Sequence, residues 1–219
     1  LTLEETGADY VIAGEGELAF TELLDKGETS DSLSGVIKRN DRSLKKRKLI
    51  EDLDTLPYPN WQKMHPKKYK KAPHGGLIKN FPVAPVVTTR GCPFECTFCA
   101  SPLLWERKIR FRSPENVVDE LQYLITDFGI REIHFEDDNL TLKKEHIESI
   151  CKLILKKRIK ISWATPNGVR ADTLDIDMLR LMKESGCYYL AFGVESGNQD
   201  ILDRVKKKET LSTMEKAVK

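Results

Sequence analysis

Ala84-Pro85-Val86-Val87-Thr88-Thr89-Arg90-Gly91-Cys92-Pro93-Phe94-Glu95-Cys96-Thr97-Phe98-Cys99 is an apolar, β-prone run that ends in a loop carrying three of the chain's five cysteines. The spacing is C-x3-C-x2-C, too tight for a disulfide framework. A strand that delivers three thiols into one loop marks a metal or cluster site. Three cysteines with a fourth ligand could hold structural zinc, and His134 or His74 could complete such a set. No second C-x2-C or H-x3-H pair accompanies it. The alternative is an iron–sulfur cluster, for which thiolates are the usual ligands. Three thiolates for four irons leave one iron open to chelate a substrate or cofactor, as the open position of a catalytic zinc does. Spacing leaves zinc and cluster both open, with buried metal-free thiols as the bland third reading.

Working outward, the same pattern of strand, polar turn and helix recurs from residue 83 onward. A helix is predicted from Ser113-Pro114-Glu115, a capping residue followed by proline at the first helical position. Its stripe is Val117, Val118, Leu121, Leu124, Ile125 and Phe128, and Gly129 is the expected stop. Strand two, Glu132-Ile133-His134-Phe135, runs into Glu136-Asp137-Asp138-Asn139. Helix two carries Ile147, Ile150, Cys151 and Ile154 on one face. Strand three, residues 160–165, is expected to end near Pro166-Asn167-Gly168, with Arg170 beyond. Helix three carries Met178, Leu179 and Met182. Strand four, residues 188–192, ends in Gly193-Val194-Glu195-Ser196-Gly197, and further helices start near Asn198 and Leu211. Four βα units in succession imply an α/β fold with a parallel sheet and right-handed crossovers. Thiols, the acidic triplet, Asn167 and Arg170, then Glu195 all collect at strand C-termini, the ligand edge of a (β/α) barrel or half-barrel.

Residues 1–27 read as the end of another α/β unit, with a short strand at Tyr10-Val11-Ile12-Ala13 and a helix over Leu18–Leu24. The turn between them, Gly14-Glu15-Gly16-Glu17, either brings backbone close to a ligand or simply places glutamate near a helix N-terminus. Residues 28–82 form a connector. A short hairpin is expected between 34–38 and 48–50 around Asn40-Asp41, followed by the proline-punctuated crossing Leu53–Trp61. His65 and His74 are expected to be exposed here.

The 219 residues carry 36 Lys+Arg against 34 Asp+Glu, a net charge of +2. That balance, with thin aromatic interleaving around the basic runs 45–48 and 67–71, argues for solvated faces and against nucleic-acid binding. No run approaches the roughly 20 apolar residues of a membrane span. An odd cysteine count favours a reduced, cytoplasmic setting. Cys151 and Cys187 stand alone as core thiols. The opening Leu1-Thr2-Leu3, without Met, suggests a fragment.

Cys92-x3-Cys96-x2-Cys99, with Phe98 before the last cysteine, resembles the cluster loop of the radical S-adenosylmethionine (SAM) superfamily. Arg90-Gly91-Cys92-Pro93, Arg112-Ser113-Pro114-Glu115-Asn116-Val117, Phe135-x-Asp137-Asp138-Asn139 and Gly193-Val194-Glu195-Ser196-Gly197 are similar to the branch with an N-terminal cobalamin-binding domain. The resemblance implies an incomplete (β/α)6-type partial barrel over 83–219, truncated after four strands. It also implies the C-terminal end of a Rossmann-like cobalamin-binding domain over 1–27 and a linker over 28–82. It implies a [4Fe–4S] cluster on Cys92, Cys96 and Cys99, with SAM on the remaining iron. One-electron reduction would then break the S–C5′ bond and release methionine and a 5′-deoxyadenosyl radical. Phe98 would lie against adenine, Asp137 with its neighbour Asp138 would meet the SAM amino group, Arg170 the carboxylate, and Glu195 the ribose hydroxyls. The expected activity is cobalamin-associated radical C-methylation, with cyclisation or rearrangement, or methylthiotransfer, as alternatives. A three-cysteine interaction module is the alternative outside enzymes. A flavodoxin- or ferredoxin-type reductant is implied, and the substrate is not legible.

Overall fold

A computed structural model describes residues 2–26, 33–38, 48–71 and 76–219. The chain opens with α1 (Thr2–Thr6), β1 (Tyr10–Ile12) and α2 (Glu17–Lys26). β2 (Val36–Lys38) pairs antiparallel with β1, Tyr10 opposite Lys38 and Ile12 opposite Val36. The expected hairpin is therefore corrected: 36–38 pairs back onto 10–12, not onto 48–50, while the turn at Asn40-Asp41 lies outside the described residues. The reason is packing. Val36 and Leu33 bury against Ala19, with Tyr10, Ile12 and Leu23 around them. Ile50 is drawn elsewhere, donating its N–H to the Glu15 carboxylate and accepting from Arg110.

The crossing Leu53–Trp61 is fastened to the core rather than loose. Trp61 is buried and its indole N–H donates to Glu120 Oε1 at 3.0 Å. Asp54 accepts from the Ser113 amide, and Tyr58 donates to the Asn116 carbonyl. His65, expected to be exposed, sits half-buried with its ring edge on Phe128. His74 lies outside the described residues.

β3 (Val83–Val86) begins the main sheet. The chain then forms β4 (Thr89–Arg90), α3 (Ser101–Trp105) and β5 (Arg110–Phe111), a small antiparallel ribbon that pattern reading did not foresee. Next come α4 (Pro114–Phe128), β6 (Glu132–Phe135), α5 (Lys144–Lys156), β7 (Ser162–Val169), α6 (Ile176–Glu184), β8 (Cys187–Phe192), α7 (Gln199–Arg204) and α8 (Leu211–Val218). β3, β6, β7 and β8 form one parallel sheet in that order. The α/β partial barrel with four strands is thus the observed fold.

The helices form for the reasons read from their sequences. Ser113 Oγ accepts from the Asn116 amide to cap α4, and Gly129 at φ 61° closes it. Val117, Val118, Leu121 and Leu124 of α4, with Ile147, Ile150, Cys151 and Ile154 of α5, are fully buried against Ile133, Phe135 and Trp163 of the strands. The third strand departs from expectation. β7 continues through Pro166–Val169 as an irregular ladder against β8, because proline cannot donate to a ladder and is tolerated at such an irregularity. Among the described residues, no helix is long and apolar enough to cross a membrane.

Candidate active site

The cysteine loop is held at the C-terminal edge of the sheet by contacts from several elements. At its start, Gly91 adopts φ +100°, and a Cβ there would stand 2.0 Å from the Lys108 carbonyl oxygen. Only glycine lets the chain leave β4 beside β5. Further along, Phe94 lies face-on to the Arg170 guanidinium, 3.6 Å from ring centroid to Cζ. The Thr97 amide donates to the Val205 carbonyl. Glu95 pairs with Arg107 and Lys208. Cys92 and Cys96 are half-buried, whereas Cys99 and Phe98 are exposed.

Burial raises the Cys92 thiol, aided by nearby Asp138 and the other two cysteines. Burial also raises Cys96, and Lys207 and Arg170 oppose it. The three sulfurs thus share one electrostatic neighbourhood, acidic at Cys92 and basic at Cys96. The donor chemistry can be tested against both metal readings. Among the described residues, no three His, Cys, Asp or Glu side chains converge on a point suited to a single ion. His134 is turned to Glu132 Oε1 at 2.8 Å inside β6. A cluster takes its thiolates on separate irons, so three thiols close enough to feel one another without converging on one point fit it.

The acidic turn after β6 divides its labour in an unexpected way. Asp137 is buried and points inward. Its Oδ1 accepts from the amides and hydroxyls of both Thr88 and Thr89. Burial outweighs these bonds and pushes its carboxyl up to about 6. Asp138 instead accepts from Ser101 Oγ at 2.8 Å, in the electrostatic range of Cys92. Neighbouring residues at a strand end face opposite ways, so Asp137 clamps the β3–β4 turn and Asp138 faces the thiols.

Arg170 follows β7 beside the loop, as expected, and is engaged by several partners within the chain. It is buried, with Nε and Nη2 on Asp172, Nη1 donating to the Lys207 carbonyl at 2.6 Å and Nη2 to the Lys208 carbonyl at 3.0 Å. A second cation near Cys96 is Lys207, which sequence reading passed over inside the run Lys206-Lys207-Lys208. Its side chain is buried, with Nζ 3.4 Å from both Glu195 Oε1 and Glu209 Oε2. Glu195 stands at φ 61° with a partly exposed side chain. A Cβ on Gly193 would meet Glu195 Oε1 at 2.8 Å and Lys207 Nζ at 2.9 Å, so that glycine makes room for the pair.

A cleft of about 670 Å³ opens beside the loop, between the Gly14–Glu17 turn with Phe20 and a wall of Val87, Arg90, Trp105, Glu136 and Asp138.

The family model described as the Radical SAM superfamily matches residues 86–219. An uncharacterized methyltransferase of Pyrococcus horikoshii is 36% identical over 94% of this chain and 45% of its own length. The cytidylyl-2-hydroxyethylphosphonate methyltransferase of Streptomyces wedmorensis is 31% identical over 94% of this chain and 44% of its own. The chain thus spans somewhat under half of these relatives. Among solved structures, the radical SAM methyltransferase TsrM of Kitasatospora setae, with cobalamin and a [4Fe–4S] cluster bound, superposes with a TM-score of 0.77 at 18% identity, covering 99% of this chain and 45% of that one. The cobalamin-dependent radical SAM enzyme OxsB gives 0.78 at 21% identity over 99% and 32%. With its three-cysteine loop at the ligand edge of a parallel partial barrel, and a family match running from β3 to its last residue, the chain belongs to the Radical SAM superfamily, enzymes whose cofactors are a [4Fe–4S] cluster and SAM.

Proposed function

We propose that Cys92, Cys96 and Cys99 hold the cluster and that the whole protein is a cobalamin-associated radical SAM methyltransferase. The observation that carries the reading is the charge pattern around the loop: a carboxylate beside Cys92 and a buried ammonium beside Cys96. Those two groups offer the opposite charges that a zwitterionic amino-acid head requires. Asp138 takes the SAM ammonium and Lys207 its carboxylate, each through a charge-assisted hydrogen bond. Asp137 serves one step back by holding the strand-to-loop turn, and Arg170 by holding the backbone on which Lys207 sits. Exposed Phe98 offers a face for adenine, and Glu195 a carboxylate for the ribose hydroxyls. When bound, the cluster supplies one-electron reductive cleavage of SAM. The chain supplies orientation and exclusion of water.

The cleft between Gly14–Phe20 and Arg90–Trp105 is the proposed cobalamin-facing wall, with residues 1–27 as the end of the cobalamin-binding domain, 28–82 as the linker and 83–219 as the radical SAM core. Methylation is favoured by the two methyltransferase relatives. The electron comes from a flavodoxin- or ferredoxin-type reductant, in keeping with a cytoplasmic setting.

Anaerobic reconstitution of the full-length protein with iron and sulfide tests the reading. The expected product is brown, with broad visible absorbance, and cleaves SAM on dithionite reduction. Cys96→Ala loses the iron, while Cys151→Ala, on the buried face of α5, retains it. Tight zinc binding with no SAM cleavage overturns the proposal, as does equal loss in both variants.

A further inference from the structure

Glu15 lies outside the cysteine loop and outside the SAM contacts, yet it is among the most heavily engaged side chains in the molecule. Its carboxylate is 1% exposed. Oε1 takes Arg90 Nη1 at 2.7 Å. Oε2 takes Arg110 Nη1 at 2.7 Å and the Ile50 amide at 2.9 Å. Arg90 also reaches Glu17 Oε1 at 2.6 Å. Both guanidiniums lie over the Trp105 ring, which with Glu15, Glu17 and Arg90 lines the cleft. Arg110 is buried, and its Nε and Nη2 have no hydrogen-bond partner among the described residues, so its charge depends on Glu15. Burial raises the Glu15 carboxyl, but the bonds from Arg110, Arg90 and Ile50 more than offset this and hold it below the ordinary glutamate value.

Arg90 is two residues before Cys92. We infer that Glu15 is a positioning residue: a latch that makes the cleft wall at Gly14–Glu17 and the cluster loop one mechanical unit, so that an occupant of the cleft sets the placement of the thiols. The consequence for the cluster rests on the cluster reading above; the latch itself does not. It also gives Gly14-Glu15-Gly16-Glu17 a purpose beyond turning the chain. Gly14, at φ 88°, lets the backbone turn into the cleft wall, and the two glutamates grip opposite nitrogens of one guanidinium.

Glu15→Gln separates the latch from the rest of the hub. The amide oxygen must stay on the Oε2 side, where Ile50 N–H and Arg110 both donate, which turns the amide NH2 against Arg90. The link to Ile50 and Arg110 survives, and the link to the cluster loop becomes donor against donor. Amide hydrogen exchange on the metal-free full-length protein reads this directly. Exchange at 90–99 is expected to quicken by about tenfold or more, the scale of a lost charged hydrogen bond, with α4 unchanged. Glu17→Gln, at a partly exposed site that cannot unfold the protein, produces a smaller change in the same peptides. In the reconstituted protein, Glu15→Gln is expected to alter the EPR line shape of the reduced cluster. Unchanged exchange at 90–99 in both variants overturns the latch even if the wild type forms its cluster. An unaltered EPR signal alongside quickened exchange overturns its influence on the cluster. A wild type that forms no cluster sinks that influence and the functional reading together, and exchange still decides the latch.

Discussion

Thr88 sits between two buried titratable groups that respond to pH in opposite directions. Its hydroxyl donates to Asp137 Oδ1 at 2.8 Å, so it must accept from His146 Nε2 at 3.4 Å, which fixes His146 as the neutral Nε2–H tautomer. Burial pushes Asp137 from 3.8 up to about 6. Burial, with Lys143 nearby, pulls His146 from 6.5 down to about 4. Between pH 3.8 and 6 the folded protein holds the Asp137 proton more tightly than the unfolded chain, so this group's contribution falls as pH rises. Between pH 4 and 6.5 the unfolded chain holds the His146 proton more tightly, so that contribution grows as pH rises. At about 1.36 kcal/mol per pKa unit, Asp137 removes about 3 kcal/mol across its window, and His146 adds up to about 3 kcal/mol across nearly the same one. In the wild type the two slopes largely cancel. Each single variant uncovers the other: Asp137→Asn gains stability relative to wild type as pH goes from 4 to 6.5, and His146→Phe loses it. Urea unfolding at half-unit pH steps, read as variant minus wild type, removes the background from other carboxylates and any constant cost of substitution. Difference curves that are flat to within about 0.5 kcal/mol, or that slope the same way for both variants, refute the reasoning.

Other outcomes follow from single contacts. Gly91→Ala forces a Cβ to 2.0 Å from the Lys108 carbonyl at φ +100°, and should cost at least about 2 kcal/mol while abolishing protection of the β4–β5 amides in hydrogen exchange. Ser113→Ala removes the α4 cap and should lower urea stability by about 1 kcal/mol. Lys207→Met should weaken SAM binding in equilibrium dialysis by about tenfold or more, with iron content retained and Lys207→Arg recovering much of the loss; an unchanged affinity would return the carboxylate role to Arg170.

Helices α4, α5 and α6 and their order were legible because one-sided burial writes a 3.6-residue stripe, as in Val117, Val118, Leu121 and Leu124, all fully buried. The loop's chemistry was legible because thiol spacing is local. What stayed hidden depends on pairing across long sequence separations. A two-residue strand at Thr89–Arg90 has no periodicity, and its partner lies 20 to 22 residues away at Arg110–Phe111. Asp137 and Asp138 are indistinguishable in sequence, since which one faces inward depends on the parity of the strand. Lys207 looks like the middle of a solvated charge run. Only the turn that buries it, with Lys206 and Lys208 at positive φ on either side, separates it from its neighbours.

The loop's anchors also indicate how the site is assembled. Residues 92–99 bury little apolar surface of their own, and ordering such a segment costs about 1–2 kcal/mol per residue in backbone entropy. The offset comes from outside the loop. Glu15 holds Arg90 at its start, Arg170 stacks on Phe94, Val205 accepts from Thr97, and Asp138 accepts from Ser101 just past its end. Those partners come from the N-terminal turn, the end of β7, the end of α7 and the end of β6, so the loop acquires its shape only once the sheet is complete through β8. A zinc finger works the other way, with the metal supplying the folding energy. The contacts here run from protein to protein, so removing iron and sulfide should leave the far-ultraviolet circular dichroism and the urea midpoint of the sheet core nearly unchanged, with the loss of order confined to 91–108.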